Sequence, residues 1–324
     1  MSWLVVGLIF LALLGLIQYI RKVIQRNKIN ALKSDLRKKS RLNIVITGGS
    51  KGLGFALVKE FILSNENNHI AFCGTSPQSV ESAFDHLEKE TGLNKQVLQR
   101  RVFGIECDIS NYDQVNTRLI PFVKEKLNHH VDAWINNAGS GESRKKLEDM
   151  TRDEIERIVN VNTLGTIYCV QAAIKFMKNQ PGDGGHVFLM EGLGSDGRLS
   201  PEMSIYGMTK ASYRQFVGTL CEETKYTKVG IHRLQPGMVI TRMLIPDQHK
   251  LTNSVKRIFN ILAEDRDVVA RYLCSSVSRT RGTNTYSPFL TTWTILYRFA
   301  TFFARTNRFF DKDGNLKEKY ANQW

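Results

Sequence analysis

The feature that most restricts what this chain can fold into is LNIVITGGSKGLG, residues 42–54, which runs directly into FALVKEFILS. A short apolar run, Leu42 to Ile46, passes into glycines and then into an amphipathic stretch. The order reads as strand, tight turn, helix. Gly48, Gly52 and Gly54 have the spacing T-G-x-x-x-G-x-G. Glycines permit the turn and a close backbone approach, and the N-terminus of the helix offers free N–H groups to a pyrophosphate. The turn from Thr47 and Gly48 through Ser50, Lys51, Gly52 and Leu53 to Gly54 is therefore a candidate nucleotide cradle. The alternation continues downstream: HIAFCG, RVFGIECD, VDAWINNAG, HVFLM and VGIHRLQPG read as strands. Between them VESAFDHLEKE, YDQVNTRLIPFVKEKL, DEIERIVNVNTLGTIYCVQAAIKFMK and IYGMTKASYRQFVGTLCEET read as helices. Such alternation predicts an α/β fold, a doubly wound parallel sheet covered by helices on both faces.

The end of the second strand bears on nucleotide choice. A site for NAD usually offers a carboxylate there to the adenosine ribose, but IAFCG is followed by Thr75 and Ser76, with no acid before Glu81. Lys51, inside the glycine turn, is placed to meet a 2′-phosphate, so NADP(H) is the expected cofactor; the plainer reading of Lys51 is a solvated turn residue. Five scattered cysteines, Cys73, Cys107, Cys169, Cys221 and Cys274, have no C-x-x-C spacing. This argues against a disulfide framework or a metal site and for a reducing compartment.

Charge is concentrated at the ends. Residues 1–41 hold nine Lys/Arg and one acid, residues 253–324 hold twelve and six, and the stretch between them is neutral. A neutral core with basic ends suggests an anionic lipid bilayer as partner and no nucleic acid. Trp3 to Ile20 is uncharged over eighteen residues, about 27 Å as a helix and close to a bilayer core. Arg21, Lys22, Arg26 and Lys28 follow at once, which leaves the bulk of the chain on the cytosolic or stromal side. The expected layout is a single-pass anchor at 1–20, a basic juxtamembrane linker at 21–41, a nucleotide-binding domain at 42–252 and a basic aromatic extension at 253–324. A cleaved signal peptide is the competing reading of the first segment.

In YGMTK, Tyr206 and Lys210 are four residues apart. On a helix that spacing stacks them on one face, where the ammonium favours tyrosinate and makes the phenol a proton donor. The pair alone is also consistent with an ordinary surface contact. Its company is what matters: the glycine turn, Asp108 in ECDIS, INNAG, Tyr206 and Lys210, then LQPGMVIT occur in the order and spacing of the short-chain dehydrogenase/reductase superfamily, which this chain resembles over nearly all of residues 42–245. The resemblance implies a Rossmann-type fold and hydride transfer between NADPH and a carbonyl carbon. It implies that Asp108 contacts adenine and that Asn136, Asn137, Ala138 and Gly139 line the cofactor groove. Thr75 lies beside the adenosine end, and Pro236, Gly237 and Thr241 embrace the nicotinamide end. Tyr206 donates the proton, Lys210 keeps the phenol acidic and binds ribose, and Asn162 in VNVNTLG anchors a relay water. Pairing of two copies through the helices of Asn162 and Tyr206 is also implied.

One departure stands out. Most members carry a serine thirteen residues before the tyrosine, but position 193 is leucine in MEGLGSDGRLSPEMSIY. Ser195 is the nearest suitable hydroxyl; Ser204 and Glu191 are alternatives, and Ser195 as a turn-shaping residue is the plain one. The loop GLGSDGR, with INNAGS, QPGMVITRML, FNILAEDRDVVARYL and the basic aromatic tail, is similar to the chlorophyll(ide) b reductases of chloroplasts. That similarity implies reduction of a 7-formyl group to hydroxymethyl on an apolar carbonyl substrate. A lipid, retinoid or steroid carbonyl reductase of the endoplasmic reticulum, and a nucleotide-sensing membrane scaffold without turnover, are the alternatives. In WTILYRFATFFARTNRFF, helical spacing puts Leu296, Phe299, Phe303 and Phe310 on one face and Arg298, Arg305 and Arg308 elsewhere. A helix so patterned lies on a membrane, lids a pocket or packs on the domain.

Overall fold

The computed structural model describes residues 3–141, 144–245 and 251–321, with side chains from residue 12 onward. Seven strands form one sheet: β1 (Asn43–Ile46), β2 (His69–Gly74), β3 (Val102–Glu106), β4 (Ala133–Asn136), β5 (His186–Met190), β6 (Gly230–Gln235) and β7 (Tyr286–Pro288). Their order is β3-β2-β1-β4-β5-β6-β7, and every pairing is parallel. The order reverses between β1 and β4, so a crevice opens at their C-terminal ends, where open α/β sheets bind ligands.

The sheet is apolar on both faces because successive side chains alternate. Ile44 and Ile46 join one core with Phe72, Phe188 and the helices Gly52–Ser64 and Arg266–Ser278. Val45, Trp134, Val187 and Ile231 join the other, beneath the 152–179 and Ser204–Glu223 helices. All five cysteines are buried and unpaired. The region after 252 is more than an extension: Val269, Ala270, Leu273 and Val277 fill the first core, and β7 adds the seventh strand.

The N-terminal segment forms one helix, Trp3–Ala31. Among the described residues no helix is long and apolar enough to cross a membrane; the expected span begins in residues whose side chains lie outside that set. The stretch 21–41 departs from a free linker. Its first part continues the helix, and its second part docks onto the sheet. Lys33 Nζ donates to the carbonyls of Thr224 (2.8 Å) and Thr227 (2.6 Å), just past the end of the Ser204–Glu223 helix, where a cation is favoured. Leu36 enters the first core. Ser34 Oγ lies 2.9 Å from His186 Nε2, and His186 Nδ1 lies 2.8 Å from His232 Nε2. The histidine contacts fall toward the N-terminal ends of β5 and β6, opposite the crevice, and Leu36 N–H donates to the Thr280 carbonyl just past the Arg266–Ser278 helix.

Candidate active site

The glycine turn is shaped as its sequence demands. Gly48 has φ +64°, and a Cβ there would lie 2.9 Å from Ala138 Cα. A Cβ on Gly54 would lie 2.0 Å from the Gly48 carbonyl oxygen and 2.5 Å from Asn137 Nδ2. Only glycine fits. Thr47 Oγ1 accepts from the N–H groups of Asn137 (3.1 Å) and Ala138 (3.0 Å), and Asn137 Nδ2 donates to the Thr47 carbonyl (3.1 Å), which locks the β1 turn to the β4 turn. Lys51 occupies the cap position of the Gly52–Ser64 helix, and its side chain makes no capping bond. Thr241 faces the same helix start, its Cγ2 3.8 Å from where a Gly52 Cβ would sit. Lys51, Thr75 and Asp108 are all exposed along the rim. Asp108 Oδ1 accepts from the Ser110 backbone at 2.9 Å. Asn136 turns away from the groove and donates to the Phe188 carbonyl at 3.2 Å. Gly237 has φ +71°, and a Cβ there would meet Leu290 Cβ at 3.0 Å, so Pro236 and Gly237 abut the segment after β7.

The groove ends at Tyr206, Lys210 and Asn162. The long helix over 152–179 opens into a π turn at Asn160–Gly165, a wide turn frequent at functional sites. It aims Asn162, fully buried, at the β4 turn: Oδ1 accepts from Ser140 N–H (2.7 Å), and Nδ2 donates to the Ser140 carbonyl (3.0 Å) and to Thr209 Oγ1 (3.1 Å). Gly139 joins groove and triad, since a Cβ there would lie 3.4 Å from Asn162 Oδ1 and 3.9 Å from Lys210 Nζ. Lys210 Nζ donates to the Met190 carbonyl at 2.9 Å and stands 5.9 Å from the centre of the Tyr206 ring. Burial pulls Lys210 below the usual lysine range, with Tyr206 and Glu191 opposing it. Burial raises the Tyr206 phenol and Lys210 pulls it back. Desolvation wins here, whereas the four-residue spacing alone predicts a lowered phenol.

The tyrosine loop accounts for the leucine at 193, which is exposed. Ser195 is buried, and its Oγ accepts from Gly192 N–H at 2.9 Å. A hydroxyl that accepts one bond still has its proton to donate. Gly192 also backs the tyrosine: a Cβ there would lie 2.3 Å from the Tyr206 hydroxyl. Ser195 and Tyr206 thus converge on one glycine. Glu191 faces elsewhere and pairs with Arg233 at 3.0 Å. Ser204 begins the helix of Tyr206 and is exposed.

In the tail Leu296, Phe299 and Phe303 share an exposed face with the arginines turned elsewhere, whereas Phe310 leaves that face for the interior. Arg298 Nη1 donates to the Leu262 carbonyl (2.7 Å), Arg305 Nε to Ile261 (2.8 Å) and Arg308 Nη1 to Ala263 (3.0 Å). Glu264 pairs with all three. The arginines therefore cap the C-terminus of the Asn253–Leu262 helix, and Phe310 is buried beside Phe259. Trp293, Leu296, Tyr297, Phe299, Phe302 and Phe303 are left exposed. Sequence reasoning missed two participants, Gly192 and Tyr213. The spacing Tyr206, Lys210, Tyr213 along one helical face is the signal that would have found the second.

Over 294 residues the chain is 35% identical to a rice (Oryza sativa subsp. japonica) protein named probable chlorophyll(ide) b reductase NYC1, chloroplastic, covering 88% of this chain and 57% of that one. The chain thus spans little more than half of that relative. It is 38% identical over 283 residues to chlorophyll(ide) b reductase NOL, chloroplastic, of the same species, covering 84% of this chain and 78% of that one. A short chain dehydrogenase from Burkholderia cenocepacia J2315, solved in complex with NADP, superposes with TM-score 0.62 at 22% identity, over 78% of this chain and 98% of that one, which establishes the fold. The family model for short chain dehydrogenases matches residues 42–252, and the chain belongs to that family.

Proposed function

We propose that this chain is an NADPH-dependent carbonyl reductase that converts the 7-formyl group of chlorophyll b or chlorophyllide b to hydroxymethyl. The observation that supports the reading is that Asn162 and Lys210 flank Gly139 of the β4 turn while Gly192 links the Ser195 hydroxyl to that of Tyr206. The substrate follows from similarity to proteins named chlorophyll(ide) b reductase over 84% and 88% of this chain.

The groove fits a dinucleotide. The Cβ position of Gly52 is open, meeting only Thr241 Cγ2 at 3.8 Å, and the Gly52–Ser64 helix begins with no side-chain cap, so its N–H groups suit a pyrophosphate. Lys51 supplies a cation at the rim, and no acid stands at Thr75 or Ser76 to repel a 2′-phosphate. Asp108, Asn137, Ala138 and Gly139 line the adenosine-to-ribose path, and Pro236, Gly237 and Thr241 close the far end. NADPH, when bound, supplies the hydride. Ser195 donates a hydrogen bond to the carbonyl oxygen. Tyr206 gives that oxygen its proton as the alkoxide forms, and Lys210 stabilises the tyrosinate left behind. Acid assistance of this kind contributes about 10²- to 10⁴-fold.

An apolar pigment suits a protein held at a membrane. We assign residues 1–20 as the anchor and place the domain on the stromal side of a plastid membrane, in keeping with the chloroplastic relatives. The helix leaves from the sheet end opposite the site. The exposed aromatics of the tail lie instead at the site's own end, after β7, where they offer a greasy substrate or lipid an apolar surface. The test is to incubate detergent-solubilised full-length protein with NADPH and either chlorophyllide b or a panel of long-chain and steroid carbonyls. Hydroxymethyl product is followed by absorbance and mass. Pigment reduction is expected; rapid turnover of a panel member with none of the pigment would overturn the assignment.

A further inference from the structure

Lys210 carries three N–H donors, and the described residues provide acceptors for two. One is the Met190 carbonyl at 2.9 Å; the other is the Tyr213 hydroxyl at 3.4 Å. The ammonium also sits 4.5 Å from the centre of the Tyr213 ring, within cation–π range. Tyr213 is itself fixed: its hydroxyl donates to the Asn162 backbone carbonyl at 2.7 Å and shares a hydrogen bond of 2.9 Å with Thr166 Oγ1. All four residues are buried. The backbone carbonyl of Asn162 is thus bonded to a side chain.

We propose that Tyr213 is a positioning residue of the reductase site: seated on the Asn162 carbonyl, its hydroxyl orients the Lys210 ammonium so that one N–H is left for the nucleotide. The inference rests on the proposed function for its chemistry, but not for its test. The charged and titratable groups around Lys210 are Tyr206 and Tyr213 on its own helix and Glu191, paired with Arg233, at the end of β5; the 152–179 helix contributes only the neutral Asn162 and Thr166. Removing one acceptor from a buried ammonium destabilises its charged form, so Lys210 loses its proton at lower pH.

The experiment measures NADPH affinity by fluorescence from pH 6 to 10.5 in full-length wild type, Tyr213→Phe, Thr166→Val and Lys210→Met. The alkaline loss of affinity absent from Lys210→Met is assigned to Lys210. In Tyr213→Phe its midpoint moves down by about one pH unit, the size of a lost hydrogen bond to a charged group. Turnover falls roughly tenfold. Thr166→Val, which loosens the hydroxyl without removing it, moves the midpoint the same way by less. Midpoints equal to wild type in both variants, whatever their thermal stability, would overturn the inference. A wild type that binds NADPH yet reduces no carbonyl removes the proposed function, and the midpoints still decide the role of Tyr213.

Discussion

Replacing Gly192 by alanine sets a methyl group 2.3 Å from the Tyr206 hydroxyl, about 1 Å inside the roughly 3.3 Å at which carbon and oxygen meet. Something must move, and what can move is the tip of the tyrosine. Tyr206 is half-buried, so its ring can tilt for about 0.5–1.5 kcal/mol of rotamer strain. In a chain of this size that is a fall in Tm of no more than about 5 °C. The Gly192 N–H bond to Ser195 survives, because alanine keeps its amide. Catalysis is far less tolerant: displacing a reacting group by about 1 Å costs on the order of 100-fold. The expected outcome for Gly192→Ala is therefore kcat down about 100-fold, with NADPH affinity and folding close to wild type. Initial rates of NADPH consumption, cofactor fluorescence titration and a melting curve separate the three quantities. Wild-type kcat in the alanine variant would refute the placement of Tyr206, as would a loss fully explained by unfolding.

Three further outcomes concern other parts of the molecule. Lys51→Ala should narrow the preference for NADPH over NADH, read as the ratio of kcat/KM values; comparable values in the wild type would contradict a 2′-phosphate site at the rim. Deleting residues 1–31 should leave a folded domain, whereas deleting 1–40 also strips the buried Leu36 and the Lys33 contacts, costing about 3 kcal/mol and roughly 10 °C in Tm; equal melting of the two truncations would rule this out. Burial holds His186 down to about 4 from 6.5, so between those values the unfolded chain binds more protons and stability falls as pH falls. The loss reaches roughly 2 kcal/mol by pH 5 relative to pH 7.5, and a denaturant midpoint that stays flat over that range would show the histidines are not buried neutral.

Legibility in the sequence followed the range of the interaction. The glycine turn and the Tyr206–Lys210 pair were readable because each is a local spacing whose geometry follows from backbone rules. The first six strands were readable as apolar runs between turn residues, but β7 is only Tyr286–Pro288, too short and proline-bearing to register. Docking of Lys33 and Leu36 escaped notice because a basic stretch reads as solvated until carbonyls 191 and 194 residues away claim its ammonium. In the tail the sequence left open which face would turn inward, for a related reason. Helical periodicity groups the aromatics apart from the arginines without saying which group docks, and Glu264 with the carbonyl ends of the Asn253–Leu262 helix decides it by taking three guanidinium groups. The π turn at Asn162 is likewise not encoded in a local pattern, although the asparagine itself was a candidate by resemblance.

The central claim, that Tyr206 protonates a pigment carbonyl in an NADPH-loaded groove, is tested most directly by Tyr206→Phe in full-length, detergent-solubilised protein given NADPH and chlorophyllide b. Phenylalanine keeps the ring and removes only the acidic proton, so NADPH affinity should stay near wild type while formation of the hydroxymethyl product falls by at least about two orders of magnitude. Normal turnover by the phenylalanine variant would contradict the account.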